Sequence, residues 1–438
     1  MKNKYKILAL LLLFSSIGFA QNTLTNNDAA SLALEQNYGI KLAKNFVEIA
    51  KNNASVYNSG YLPRISASAG AGYSNDSSEN TSQDGSVSEK NNAESKSMNA
   101  SIGLSYTLFD GQGRSYNYKK LKENYNLSEL EAQAVIENSL LQVFSMYYEV
   151  ARLTENTNIL NESLIVSNNR LKRAEYSFEY GQNTKLQVLN AEVDVNNDSI
   201  RLLNSERLLT NAKRNLNLLI GRDVNIDFEV ETNISFNSIY EYNTLLSLAK
   251  ERNIEIQKAQ KNIELSDFDI KINKSNYLPS LSFNSSYGFN KSDNDASFTY
   301  AEQLSKGLNA GLSLNWDIFD GGSTKTRVQN ARINAENSKI QQEQISLELE
   351  RDIANALETY NNAIFILNSE TKNVETNQRN FERTEEQFKL AQVNSIEFRQ
   401  AQINLLNAKS SLSTAKYAAK NAELSLLQLS GNLLNIEF

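Results

Sequence analysis

The sequence predicts a mixed α/β membrane protein in which long antiparallel α-helical coiled coils join four β-strands per chain, built as an internal two-fold sequence repeat. Three observations carry that prediction. Across 438 residues there are only 2 prolines and 17 glycines, so long uninterrupted elements are expected. The two halves of the chain align on one another at a nearly constant offset. Each half holds two segments of period-two alternation, followed by a long proline-free stretch whose apolar residues recur every three or four positions.

The N-terminus sets the compartment. Lys2, Lys4 and Lys6 precede an apolar run from Ile7 to Phe14, and Gly18-Phe19-Ala20 then leads into Gln21. This is the pattern of a secretory signal peptide over residues 1–20 with a small-x-small cleavage site. The apolar run is too short to span a bilayer, and no later stretch approaches ~20 apolar residues, so no transmembrane helix is expected. No cysteine follows the cleavage site, which argues against a lipoprotein anchor. Removing the three lysines takes the formal net charge from −7 to −10, and so acidic a chain is not expected to bind nucleic acid.

Composition narrows the chemistry further. With 0 cysteines and 0 histidines, the chain has no disulfide, thiol nucleophile or thiolate site, and it lacks the commonest general base and metal ligand. No cofactor, metal or catalytic residue is expected. Asp110 and Asp320, each followed by glycine, read as turn residues rather than catalytic carboxylates. A scaffold, a channel or a binding protein fits this inventory better than an enzyme.

The repeat organises the remainder. Tyr61-Leu62-Pro63 recurs 216 residues later as Tyr277-Leu278-Pro279, and Phe109-Asp110-Gly111 recurs 210 residues later as Phe319-Asp320-Gly321. Phe178 and Phe388, Ala191 and Ala401, Gly221 and Gly431, and Phe228 and Phe438 keep the offset of 210. Only the segment between the proline and the Phe-Asp-Gly changes length, as a loop tip does while its supports stay fixed. The first repeat is assigned to residues 21–230 and the second to 231–438. The chain is expected to end where its second repeat ends.

In the first repeat a helix is expected from about Asp28 to Tyr57, then a β-hairpin over 64–109. Met98, Ala100, Ile102, Leu104, Tyr106 and Leu108 alternate with Asn99, Ser101, Gly103, Ser105 and Thr107, giving one apolar and one polar face. The earlier strand, from Ile65 to Tyr73, alternates in the same way. A long helix over 113–178 and a return helix over 184–220 follow, and a small mixed girdle is expected from Gly221 to Tyr242. The second repeat gives a helix over 244–276, a hairpin over 280–319, a long helix over 322–388 and a return helix over 394–430. On that return arm Phe398, Ala401, Leu405, Ala408, Leu412, Ala415, Ala419, Ala422, Leu426 and Leu429 form a heptad seam. Some 66 helical residues at ~1.5 Å each reach roughly 100 Å, more than a compact domain needs.

Strands of about ten residues also match the length that crosses an outer membrane when tilted. Tyr106 and Trp316 fall at equivalent outward positions near strand ends, where membrane-interface aromatics sit. A soluble sandwich is the blander reading of one alternating strand, but four of this length in a secreted chain favour a barrel. The segments Ser74–Ser97 and Asn290–Gly307, rich in serine, asparagine and charge, are expected to be external loops. Four strands leave two open edges, which lipid does not tolerate, so other copies must complete the barrel. Eight strands from a dimer would be filled by side chains, whereas twelve from a trimer leave a wet lumen, which the polar strand faces favour.

The paired Tyr-Leu-Pro and Phe-Asp-Gly junctions, the duplicated plan and the hairpin tips resemble the TolC family of outer membrane efflux and secretion ducts. The resemblance covers essentially the whole mature chain, including Ala33-Leu34-Glu35-Gln36-Asn37 and its echo Leu248-Ala249-Lys250-Glu251-Arg252-Asn253. It implies a homotrimer whose twelve-stranded barrel sits in outer membrane lipid and continues into a helical tunnel in the periplasm. It also implies partners, a periplasmic adaptor (membrane fusion protein) and an inner-membrane pump, in a tripartite efflux or type I secretion system. By the same resemblance the adaptor docks on the tips formed by Tyr180, Gly181, Gln182 and by Leu390, Ala391, Gln392. Because Ala391 stands where the first tip has glycine, a different second turn is expected.

The aperture is the last element the resemblance places. Positions that carry ring aspartates in some relatives are Glu397 and Gln400, and those that carry a tyrosine–arginine–aspartate latch are Phe388, Val393 and Gln187. That latch cannot form here, so packing of the tips and a Lys185–Glu397 pair, within or between chains, are the expected substitutes. A periplasmic or surface coiled-coil structural protein without a transport role is the alternative, and it leaves the four strands without a purpose. A general porin shares the barrel but does not require such long coils.

Overall fold

The computed structural model describes residues 23–236, 240–295 and 301–435. The signal-peptide reading and the repeat match from Ile436 to Phe438 lie outside the described residues. In chain order the elements are β1 (Thr23–Leu24), α1 (Asn26–Gln36), α2 (Tyr38–Asn53), β2 (Arg64–Thr81), β3 (Val87–Phe109), α3 (Gly113–Glu179) and α4 (Lys185–Leu219). They continue with β4 (Glu229–Val230), α5 (Tyr242–Arg252), α6 (Ile254–Ser275), β5 (Ser280–Asn294), β6 (Glu302–Asn315), α7 (Ser323–Lys389) and α8 (Ser395–Leu429). Two compact units divide them, one made of 46–129 and 258–342, the other of the remaining residues.

The first unit contains an antiparallel sheet in the order β2-β3-β5-β6. Its strands are longer than the expected ten residues, at 18, 23, 15 and 14. Most of Ser74–Ser97 is not a loop: the β2–β3 ladder runs on to Thr81↔Val87, with an irregularity between Asp76 and Ser78. The turn is confined to Ser82–Ser86, closed by the Ser82 amide on the Ser86 carbonyl at 2.8 Å. Likewise β5 extends through Asn294 and β6 opens at Glu302. Alternation reports burial of one face, whereas ladder bonds form equally well with both faces wet, which is why the sequence underestimates these strands.

At the other end β6 stops at Asn315, short of the expected alternation through Ile318. Its partner β5 begins at Ser280, paired with Asn315, and the preceding Pro279 has no N–H to continue the ladder. The central strand β3 reaches Phe109 because its last residues pair with Leu281–Phe283 of β5.

Both Phe-Asp-Gly motifs turn the chain from sheet to helix. Asp110 Oδ2 accepts from the Arg114 amide at 2.9 Å, and Asp320 Oδ2 accepts from the Thr324 amide at 2.7 Å. Each aspartate thus satisfies an amide that the helix start leaves open. The glycines that follow differ in their constraints. Gly111 has φ +64° and a Cβ there would lie 2.5 Å from the Ser275 carbonyl oxygen, whereas Gly321 has φ +68° with open space around it.

In the second unit the expected helices over 28–57 and 244–276 are each broken in two, at Asn37 and Asn253. The break is built from side-chain chemistry. Asn37 Oδ1 accepts from the Ile40 amide at 3.1 Å while its Nδ2 donates to the Leu219 carbonyl at 2.7 Å. Asn253 Oδ1 accepts from the Glu255 amide at 2.9 Å while its Nδ2 donates to the Leu429 carbonyl at 3.1 Å. Each asparagine therefore caps a new helix and ties it to the end of the return helix. Gly221 (φ +75°) and Gly431 (φ +69°) sit against Gln36 and Arg252, where a Cβ would meet them at 2.4 and 2.7 Å.

The girdle closes this region. β1 and β4 pair in parallel, and the buried Tyr147 hydroxyl donates to the Leu24 carbonyl at 3.0 Å and accepts from the Glu231 amide at 3.1 Å. Burial pushes that hydroxyl up to about 12, so it stays protonated as a donor at neutral pH. Phe144, Tyr148, Leu216, Tyr417 and Leu424 fill the adjoining core.

Gly111→Ala should destabilise the fold by about 2–5 kcal/mol, since both the left-handed backbone and the carbonyl contact oppose a methyl group. Gly321→Ala meets only the backbone cost, about 1 kcal/mol. Thermal unfolding of the two purified variants checks this contrast, and equal losses would contradict it.

Candidate functional site at the hairpin tips

Two helical hairpins end in tips that turn alike, contrary to the expectation drawn from Ala391. The Gly181 amide donates to the Phe178 carbonyl at 2.9 Å and the Gln182 amide to Ser177 at 2.7 Å. Their counterparts are Ala391 to Phe388 at 3.1 Å and Gln392 to Gln387 at 2.8 Å. This is the paired bond of a left-handed helix end. Gly181 has φ +69° and Ala391 φ +58°, so the alanine is held in a conformation that costs it about 1 kcal/mol more than glycine. The apices are apolar and exposed: Tyr180 is 79% and Leu390 67% accessible.

Three of the residues expected at the aperture, Glu397, Gln400 and Lys185, have a local partner for their side chain. Asn394 caps α8, accepting from the Ile396 and Glu397 amides at 2.9 Å each, and Glu397 Oε2 accepts from the Asn394 amide at 3.1 Å. Glu397 therefore completes a capping box. Gln400 donates to Asn404 Oδ1 at 2.8 Å. Gln187 is half-buried in the first turn of α4. The Lys185 ammonium lies 5.5 Å from the centre of the Phe178 ring. Within one chain the structure does not bring Lys185 to Glu397, because each is drawn to its own tip.

What joins the two hairpins is a set of residues that the sequence reading passed over. Asp198 of α4 accepts from Arg399 of α8 at 2.6 and 2.7 Å and from the Ser167 hydroxyl of α3 at 2.6 Å. Arg399 also donates to Gln402, whose amide reaches the Ser163 carbonyl at 2.8 Å. Arg170 pairs with Asp194 alongside. Asp198 and Arg399 are almost wholly buried. Burial raises the Asp198 pKa, but the bonds from Arg399 and Ser167 outweigh it and hold the carboxyl below the usual carboxylate range.

A second tie lies nearer the apices. Phe388 stacks on Phe398 with ring centres 4.7 Å apart, and the Arg173 guanidinium sits 5.0 Å from the Phe388 ring. Arg173 also donates to the Lys389 carbonyl at 2.7 Å, a cation placed on a helix C-terminus. Phe388 thus serves as a packing element between the coils.

The aromatics expected at the membrane interface are placed less symmetrically. Tyr106 lies inside β3 opposite Phe283, whereas Trp316 lies just past β6 and donates from Nε1 to the Tyr277 carbonyl at 3.2 Å. Both sit at the helix-proximal end of the sheet.

Comparison with known proteins decides the family. The model of the family described as outer membrane efflux protein matches residues 29–222 and 245–432, one stretch in each half. This chain belongs to that family. Outer membrane protein TolC of Vibrio cholerae is 21% identical over 349 residues, 78% of each protein. Among solved structures, the Campylobacter jejuni CmeC outer membrane channel superposes with a TM-score of 0.76 at 18% identity, covering 93% of this chain and 86% of that one. The VceC outer membrane protein of Vibrio cholerae gives 0.71 at 16% identity, covering 93% and 96%. The outer membrane efflux protein fold and an outer membrane location follow.

The buried ion network yields a direct test. Because the Asp198 pKa is depressed on folding, its stabilisation is present above about pH 4 and is lost as pH falls below that value. Asp198→Asn removes it at neutral pH and leaves Arg399 with only the longer ion pair to Asp194 at 3.5 Å, a loss of about 1–3 kcal/mol. Limited proteolysis at pH 7 should cut the variant at the tips and spare the parent, and equal resistance would contradict the role given to the network.

Proposed function

We propose that three copies of this efflux-family chain close a twelve-stranded barrel and continue it as a periplasmic helical tunnel, forming the exit duct of a tripartite efflux or type I secretion system. One observation carries the reading. The sheet has an apolar face, and among the described residues its outer strands β2 and β6 each pair on one side only. Neighbouring copies satisfy those edges, since β2 and β6 run in opposite senses and can continue the antiparallel order. A periplasmic adaptor docks on the exposed tips around Tyr180, Gly181, Gln182, Leu390, Ala391 and Gln392, and an inner-membrane pump supplies the driving force. The chain performs no bond chemistry of its own.

At the aperture, three Glu397 carboxylates form an acidic ring one turn from Gln400, with Gln187 and Lys185 on the facing hairpin. Charged rings at a constriction favour counter-ions. In planar bilayers the protein should conduct. Glu397→Gln, which retains the capping box, should lower cation selectivity and block by trivalent cations, and Gln400→Asp should strengthen both. Unchanged selectivity and block in both variants would leave Glu397 a capping residue only, and a protein that never conducts would favour the structural coiled-coil reading.

A further inference from the structure

We propose, resting on the channel reading above, that Arg64 from three copies forms a cationic ring at the helix-proximal end of the barrel lumen, a level that binds multivalent anions such as phosphorylated or polycarboxylate solutes. Side chains on one face of the sheet share register rows, and the row that opens β2 is Arg64, Ser105, Asn284 and Gly311. This is the polar face. It reads only Ser, Thr, Asn, Gln or Gly along β3 from Ser95 to Thr107, β5 from Ser282 to Asn294 and β6 from Gln303 to Asn315. Along β2 it reads Ser or Gly from Ser66 to Ser74. Among the described residues of that face, the next charge after Arg64 is Asp76, roughly 40 Å farther along β2. The duplication sets Arg64 apart as well. After Tyr61-Leu62-Pro63 the first strand opens on arginine, whereas after Tyr277-Leu278-Pro279 it opens on Ser280, so a trimer carries one guanidinium per copy at this level.

In a closed barrel the apolar face turns to lipid and the polar face, Arg64 with it, turns to the lumen. Arg64 is exposed, and among the described residues it has no acidic partner. Asp110, at the end of the neighbouring strand β3, is already committed to the Arg114 side chain at 3.0 Å and to the Arg114 amide at 2.9 Å. Asp317 follows β6, whose edge meets β2 of the next copy. However, β6 ends at Asn315 and Trp316 turns to the Tyr277 carbonyl at 3.2 Å, so the chain has left the ladder before Asp317. Twelve strands about 4.8 Å apart and tilted by about 40° close at a radius of roughly 12 Å. A guanidinium projecting inward from that wall comes within about one Debye length, ~8 Å at physiological salt, of the axis, so an anion there feels all three. Its planar fork of donors fits phosphate and carboxylate oxygens in pairs. Like charges repeated around one level are also how channels hold counter-ions.

Parent, Arg64→Gln, Arg64→Lys and Arg64→Glu proteins are compared in planar bilayers, with inositol hexakisphosphate or hexaamminecobalt(III) added on the side of the Ser82–Ser86 turn. The polyanion should block the parent and Arg64→Lys, which keeps the charge, at concentrations at least about tenfold below those that affect Arg64→Gln. Arg64→Glu should lose that block and gain block by the trivalent cation from the same side. A conducting parent that is insensitive to the polyanion would overturn the proposal whatever the variants do. Equal block of the parent and Arg64→Gln would overturn it too, since the anion would then be held elsewhere. So would a polyanion block that appears only when Asp317→Asn is introduced, because Asp317 would then neutralise the ring. Absence of conductance in every one of these proteins would instead refute the channel reading.

Discussion

The constraint on which the rest of the architecture depends is the backbone polarity of a β-sheet with one apolar face. Each unpaired N–H or C=O left in hydrocarbon costs several kcal/mol, and the outer edges of β2 and β6 carry a full row of them. Four strands cannot curl shut, so the proposed assembly follows from the hydrogen-bond count of a single chain. The same closure accounts for the distribution of side chains, with Leu, Ile, Phe and Ala on one face of the sheet and Ser, Asn and Gly on the other.

A sheet that closes between copies has to hand its geometry to helices, and the duplicated motifs sit at those transfers. Asp110 and Asp320 start the long helices by accepting their first amides. Asn37 and Asn253 interrupt the shorter helical line and fasten it to the ends of the return helices, with Gly221 and Gly431 allowing the close approach. In both cases a short polar side chain satisfies backbone groups that a helix end exposes. The repeat therefore preserves joints more faithfully than it preserves the surfaces between them.

Much of this was legible in the sequence because it has a period. Alternation gave the four strands, three-and-four spacing gave the coils, and Tyr-Leu-Pro with Phe-Asp-Gly gave the junctions. What escaped has no apolar signature. Helix α8 buries a second stripe one residue on from its seam, through Arg399, Gln402, Leu406, Ser413, Lys420, Glu423 and Leu427. The same heptad spacing is present there, but a reading that counts only apolar residues passes over its arginine, glutamine, serine and lysine. Counting every residue type at heptad spacing beside the seam would have marked Arg399 and Gln402 as buried, and so would have pointed to Asp194 and Asp198. The helix breaks at Asn37 and Asn253 were missed because a single asparagine is compatible with a continuous helix unless its amide has a distant carbonyl to reach. The extended ends of β2 and β3 were missed because wet strands show no alternation.

The measurement that bears most directly on the central claim is the mass of the folded protein released from its membrane. Native mass spectrometry of the detergent-extracted chain should give a single species of three mature chains whose sheet amides, those of β2 and β6 included, resist hydrogen exchange. A folded monomer with an intact sheet, in which β2 and β6 exchange freely on their outer sides, would contradict the account.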